Sequence, residues 1–149
     1  MTCNSHDPNV KFALKHASGS EPHATLKQLL TMRPKTDKKE ISCALAMQLA
    51  KSAKITPAEV GRTLDILEYR INLCQLGLFG HKPVSKIMAP AKPNPEIAAA
   101  IKAQLEADGS LSCAKIWELA KAFKLPKMTA AAYCAYLKVK IKPCQLGAF

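Results

Sequence analysis

Six cysteines, Cys3, Cys43, Cys74, Cys113, Cys134 and Cys144, are the residues of this chain most able to do covalent or metal chemistry. None follows another at the two- or three-residue separation of a zinc or iron–sulfur motif. Four of them recur in register, however: Cys43 and Cys74 stand 70 residues before Cys113 and Cys144. Each copy thus carries the same two thiols at equivalent places. A thiol beside a helix N-terminus also has its thiolate favoured. Cys43, Cys74, Cys113 and Cys144 are therefore candidates for one redox or metal-sensing pair per copy. The alternative is that they are small buried residues, kept reduced in the cytoplasm. No cofactor is expected.

Lysine offers the second chemistry. The formal charge is +11, from 22 basic and 11 acidic residues. Residues 1–80 carry 11 basic and 7 acidic groups and residues 81–149 carry 11 and 4, so the halves stand at +4 and +7. A balance of this size favours polyanions through counterion release. Arginine, which makes the better bidentate contacts to guanine, appears only at Arg33, Arg62 and Arg70. The pattern suits attraction to a phosphate backbone more than the reading of bases. Catalysis is not expected. His6, His16, His23 and His81 fall outside the repeated cores, no Gly-rich phosphate loop occurs, and no acid recurs between the copies.

The elements that must position these groups follow from the repeat. Cys74-Gln75-Leu76-Gly77-Leu78-Phe79 returns as Cys144-Gln145-Leu146-Gly147-Ala148-Phe149, and 14 of 39 positions match without a gap. A fixed period of this kind marks an internal duplication. Ala and Leu are abundant and aromatics scarce, which favours helix over sheet. In the first copy a short apolar face spans residues 23–32, Ser42 caps a helix over 43–53, and Thr56-Pro57-Ala58-Glu59 forms a capping box. The helix it opens is expected to run to about residue 70, with a strand over 71–76. In the second, Asn94 caps a helix over 96–107, helices follow at 113–123 and 127–138, and a strand at 140–146. Gly77 suits a turn after the first strand, and Phe79 and Phe149 are expected to plug the core, the phrase acting as a staple between copies. Residues 1–20 read as a flexible leader without a secretory signal. Residues 81–93 read as a stiff Pro/Lys linker. No apolar run reaches the roughly 20 residues of a membrane span, so a cytoplasmic protein that does not bind membranes is expected.

Leu49 to Val60, with a small residue where two helices cross and an apolar residue on either side of the turn, resembles the winged helix-turn-helix domains of transcription regulators. Leu119, Ala120, Leu125 and Ala130 take the same places in the second copy. The resemblance covers about 35 residues per copy. It implies a mainly α fold: two tandem winged-helix-like units of three helices and short strands, over 21–80 and 94–149. Two departures stand out. Lys54 and Lys124 occupy the turn where many such domains have Gly, and the second copy lacks residues for a second wing strand; in the first, residues 84–88 could supply it. By the same resemblance the third helix would meet DNA. That nominates Lys127, Thr129, Tyr133, Tyr136, Lys138 and Lys140, with Arg62 from the first copy and Lys82 and Lys86 from the linker. The expected function is a DNA-binding regulatory or accessory protein. The alternatives are a protein-interaction module, such as a homodimer, and the thiol sensor.

Overall fold

A computed structural model describes residues 11–33, 38–81 and 93–149. Those residues are mainly helical, with six α-helices and short strands, and no helix among them is long and apolar enough to cross a membrane. They form two compact units, Met1–Leu73 with Leu146–Ala148, and Cys74–Gln145 with Phe149. The division falls before Cys74 rather than after residue 80. Unit 1 thus takes part of the second copy's closing phrase, and unit 2 takes the whole of the first's.

In unit 1 the elements run α1 (Ala24–Thr31), β1 (Glu40–Ser42), α2 (Cys43–Ala53), α3 (Pro57–Ile66) and β2 (Arg70–Asn72). The Ser42 hydroxyl accepts the Leu45 N–H at 3.2 Å and the Thr56 hydroxyl accepts the Glu59 N–H at 3.2 Å, so both caps satisfy an orphan donor. The other half of the capping box does not form, because the Glu59 carboxylate turns to Arg62. Helix α3 stops at Ile66, four residues short of the expected end. Glu68 adopts a left-handed φ of 59° there, and the Tyr69 N–H closes the turn on the Leu64 carbonyl at 2.8 Å. The chain then returns beside β1, pairing Glu40 with Arg70, Ile41 with Ile71 and Ser42 with Asn72.

That pairing is parallel, and the helix pair α2–α3 supplies the long crossover that parallel strands need. Unit 2 repeats it. Its elements are α4 (Pro95–Ala103), β3 (Ser110–Leu111), α5 (Cys113–Ala122), α6 (Lys127–Tyr136) and β4 (Lys140–Ile141), with β3 and β4 again parallel. Both sheets are two-stranded, so no antiparallel wing hairpin occurs among the described residues. The candidate second strand at 84–88 lies outside them. Both strands expected after the third helices are shorter than the sequence suggested, and α4 ends at Ala103 rather than near residue 107. The Glu106 N–H bonds the Ser110 carbonyl at 2.8 Å in the turn that follows.

The duplication extends to the backbone. Left-handed residues recur at Lys54 and Lys124, φ 54° in both, and at Glu68 and Lys138, φ 59° and 56°. Each closes a helix with the same pair of bonds. Ile55 and Leu125 N–H reach back to Ala50 and Ala120 carbonyls at 3.0 and 2.8 Å, and Val139 N–H reaches Cys134 at 2.8 Å.

Each unit has its own core. Leu26, Ile41, Ala46, Val60, Leu64 and Leu146 are buried in unit 1, and Leu76, Phe79, Ile101, Leu111, Ile116 and Cys134 in unit 2. Gly61 decides the packing of unit 1, since a Cβ there would lie 1.8 Å from the Leu146 carbonyl oxygen. Only a hydrogen lets the closing phrase lie on α3. In unit 2 the rings of Phe79 and Phe149 meet edge to face, centroids 5.9 Å apart.

The leader is not loose from residue 11 onward. Phe12–Lys15 forms a 3₁₀ turn whose Phe12 and Ala13 N–H groups donate to the Glu68 carboxylate at 2.9 and 3.1 Å. Lys15 and His16 reach the Asp65 carboxylate at 3.5 and 2.9 Å, and the His23 N–H donates to the Thr63 hydroxyl at 3.0 Å. One face of α3 is therefore covered.

Candidate nucleic-acid interface

A phosphate-binding lysine has to be exposed and free of a competing acid. In unit 1 that condition fails along α3. Arg62 grips the Glu59 carboxylate through Nε at 3.0 Å and a terminal nitrogen at 2.6 Å. The hydrogen bond from Arg62 pulls the Glu59 carboxyl below its ordinary value and pushes the guanidinium's up. The charge nominated at Arg62 is thus already neutralised by its neighbour one turn away. Asp65 and Glu68 are occupied by the leader.

Helix α6 divides the residues nominated in the second copy. Tyr133 is buried, only 5% exposed, and its hydroxyl accepts the Asn94 N–H at 3.0 Å. It anchors the start of α4 and does not face a ligand, which removes it from the interface. Lys127 is held back as well: its ammonium lies 3.7 Å from the centre of the Trp117 ring and donates to the Gln75 side-chain oxygen at 2.8 Å. Gln75, from the first closing phrase, thereby gains a role that sequence reasoning did not assign. Thr129 is half-buried in the first turn of the helix. Lys82 and Lys86 lie outside the described residues.

Tyr136, Lys138 and Lys140 are exposed. Tyr136, in the last turn of α6, is 50% exposed. Lys138 is exposed at the left-handed residue that closes α6, and Lys140 is exposed in β4. Two further exposed lysines, Lys121 in the last turn of α5 and Lys124 at its left-handed end, were not nominated for the interface. They lie before the helix that the resemblance singles out. Among the described residues none of these four lysines forms an ion pair, whereas Glu106 and Asp108 of the same unit are taken by Lys115 at 2.5 Å and Lys142 at 2.7 Å. The bonds from Lys142 and Ser110 hold the Asp108 carboxyl well below the usual carboxylate range. Two of the few acids in unit 2 are thus neutralised by lysines elsewhere in it.

The cysteines divide by unit. Cys43 is buried in unit 1, while Cys74, Cys113, Cys134 and Cys144 belong to unit 2. The expected pair Cys43 and Cys74 does not fall within one unit; Cys113 and Cys144 do. Burial pushes the Cys113 thiol up to about 11, with smaller upward contributions from the Cys144 and Cys74 thiolates. Cys134 is also pushed up to about 11 by burial, and Cys74 is raised for the same reason. Among the described residues no three His, Cys, Asp or Glu side chains are placed to hold a metal ion. Compared with protein-family models, with curated proteins and with solved structures, the chain matches none.

Proposed function

We propose that the protein is a cytoplasmic DNA-binding accessory protein that holds duplex DNA by its phosphates, through unit 2. The observation that carries this reading is the exposed run Tyr136, Lys138 and Lys140 at the end of α6, without an acid paired to either lysine. Lysine ammonium groups attract phosphate without demanding a particular base, and each phosphate neutralised releases counterions. Tyr136 adds a hydroxyl and a ring face suited to the sugar–phosphate edge. Lys121 and Lys124 extend the charge to the α5–α6 turn.

The units are read as winged-helix-like in their helix pairs. The pairs α2–α3 and α5–α6, each joined through a left-handed lysine, support that reading, while the parallel strands depart from it. Contact is therefore assigned to the end of α6 and to β4 rather than to a wing. Because Lys127 is tied to Trp117 and Gln75, backbone attraction without base reading is expected. Fluorescence anisotropy with random-sequence duplex DNA at low salt tests this. Joint replacement Lys138→Ala and Lys140→Ala should weaken binding roughly tenfold or more, since each hydrogen bond between charged groups contributes about 1.5–3 kcal/mol. Lys27→Ala, on α1 of unit 1, should leave it unchanged. Equal affinity of the double variant and the parent would refute the assignment.

A second reading, a protein partner, is favoured at one place only. Asp65 of α3 pairs with Lys15 of the leader, and Glu68 just beyond the helix accepts the leader's Phe12 and Ala13 N–H groups, as the two carboxylates would hold a basic peptide. Self-association measured by analytical ultracentrifugation, with no DNA binding, would move the function there.

A further inference from the structure

Backbone hydrogen bonding in unit 2 continues beyond the ends of β3 and β4. Leu111 stands opposite Ile141, and the Lys142 N–H donates to the Leu111 carbonyl at 3.0 Å, as a regular parallel ladder requires. In such a ladder a residue donates to the carbonyl one position before its opposite number. The Cys113 N–H donates to the Pro143 carbonyl at 3.2 Å. Cys113 opens α5 and Pro143 stands directly before Cys144, so this bond brings the backbone of Cys113 beside that of Cys144.

A disulfide spans a Cα separation of roughly 4.4–6.8 Å, the reach of two backbone segments joined by a hydrogen bond. The Cys113 sulfur also faces the segment that carries Cys144, since the Gln145 side-chain nitrogen lies 3.5 Å from it. The two thiols differ in access: Cys113 is 6% exposed, whereas Cys144 is half-buried and open to small solutes. Cys74 is 5% exposed, so it is shielded from direct attack in the same way as Cys113. The Cys144 thiolate has an upward effect on Cys113 and on Cys74 alike, so the backbone and Gln145 contacts are what single out Cys113.

We propose that Cys113 and Cys144 form a redox-active dithiol that a hydroperoxide converts to a disulfide, independently of any nucleic-acid binding. The half-buried Cys144 sulfur attacks the peroxide oxygen, the O–O bond breaks, and Cys144 becomes a sulfenic acid while one water (or, from an organic peroxide, one alcohol) leaves. The Cys113 sulfur then attacks the sulfenic sulfur, the S–O bond breaks, and the oxygen departs as water with the thiol proton. Two thiols lose two electrons in all, and one peroxide gains them. Oxidation of this transient, signalling type is the kind found among cytosolic cysteines. It would tether the N-terminus of α5 to the second closing phrase.

The full-length reduced chain, treated with about one equivalent of hydrogen peroxide, quenched with an alkylating agent and digested with trypsin, tests this. The expected result is one cross-linked pair of peptides containing Cys113 and Cys144. The titre of alkylatable thiols should fall from six to four per chain. A thiol reductant should restore it. The same link should survive Cys74→Ser and Cys134→Ser. A link between Cys74 and Cys144, a link between two chains, or sulfinic acid at Cys144 with no cross-link would each overturn the proposal. The mapping is made on the unsubstituted chain, so the outcome does not depend on a variant that folds.

Discussion

Lys54 and Lys124 sit at left-handed φ values that an L side chain adopts at a cost of about 1 kcal/mol. The sequence reading located both as the residues of the turn, because the repeat and the flanking apolar residues fix where the helices end. The conformation of Glu68 and Lys138 was not legible, since nothing in the residue types marks them as helix ends. Glycine in place of Lys54 and of Lys124 should relieve the strain, offset in part by a freer unfolded chain. Each substitution should therefore raise stability by about 0.5–1 kcal/mol, seen as a higher urea midpoint at unchanged slope. Candidate residues were legible by type but not by partner. Arg62, Lys127 and Tyr133 each carry the right chemistry, and each is occupied: by Glu59, by Trp117 with Gln75, and by the Asn94 N–H. Such partners come from the neighbouring helical turn or from distant elements, and composition does not reveal them.

Helices were legible wherever a cap announced them. Ser42, Thr56 and Asn94 all accept the backbone donors that their positions promised, and Val60, Leu64, Ile97, Ile101, Ile116 and Leu119, set at helical spacing, are buried in the cores. The docking of residues 11–16 on α3 was not legible, because a polar segment rich in charge reads as solvated until its acidic acceptors, Asp65 and Glu68, are placed beneath it. Gly61 is the element-scale feature most open to test. A methyl group there would meet the Leu146 carbonyl, a backbone atom that cannot swing away. Gly61→Ala should cost roughly 2–4 kcal/mol despite its better helix propensity, lowering Tm by roughly 5–15 °C. The equivalent residue in the second copy, Ala131, is buried in α6 without such a conflict, so Ala131→Gly should cost only about 1 kcal/mol.

At the scale of the whole molecule, two copies of one plan carry different charge. The first copy's third helix and the turn after it carry Glu59, Asp65 and Glu68, of which Glu59 and Asp65 pair with cations of their own chain and Glu68 accepts backbone N–H groups. The second copy replaces these with Thr129, Ala135 and Lys138, so the same scaffold turns from acidic to basic. This asymmetry was visible in the charge count of the two halves. The division of the closing phrases between units was not, since identical phrases can serve either copy. The central claim is that unit 2 attracts phosphate through lysines that have no acid to satisfy. The most direct measurement is the affinity of the full chain for random-sequence duplex DNA across a salt series. With Lys121, Lys124, Lys138 and Lys140 each neutralising one phosphate, the logarithm of the association constant should fall with the logarithm of salt at a slope of about −3 to −4. A slope near zero, or no binding at the lowest salt, would contradict it.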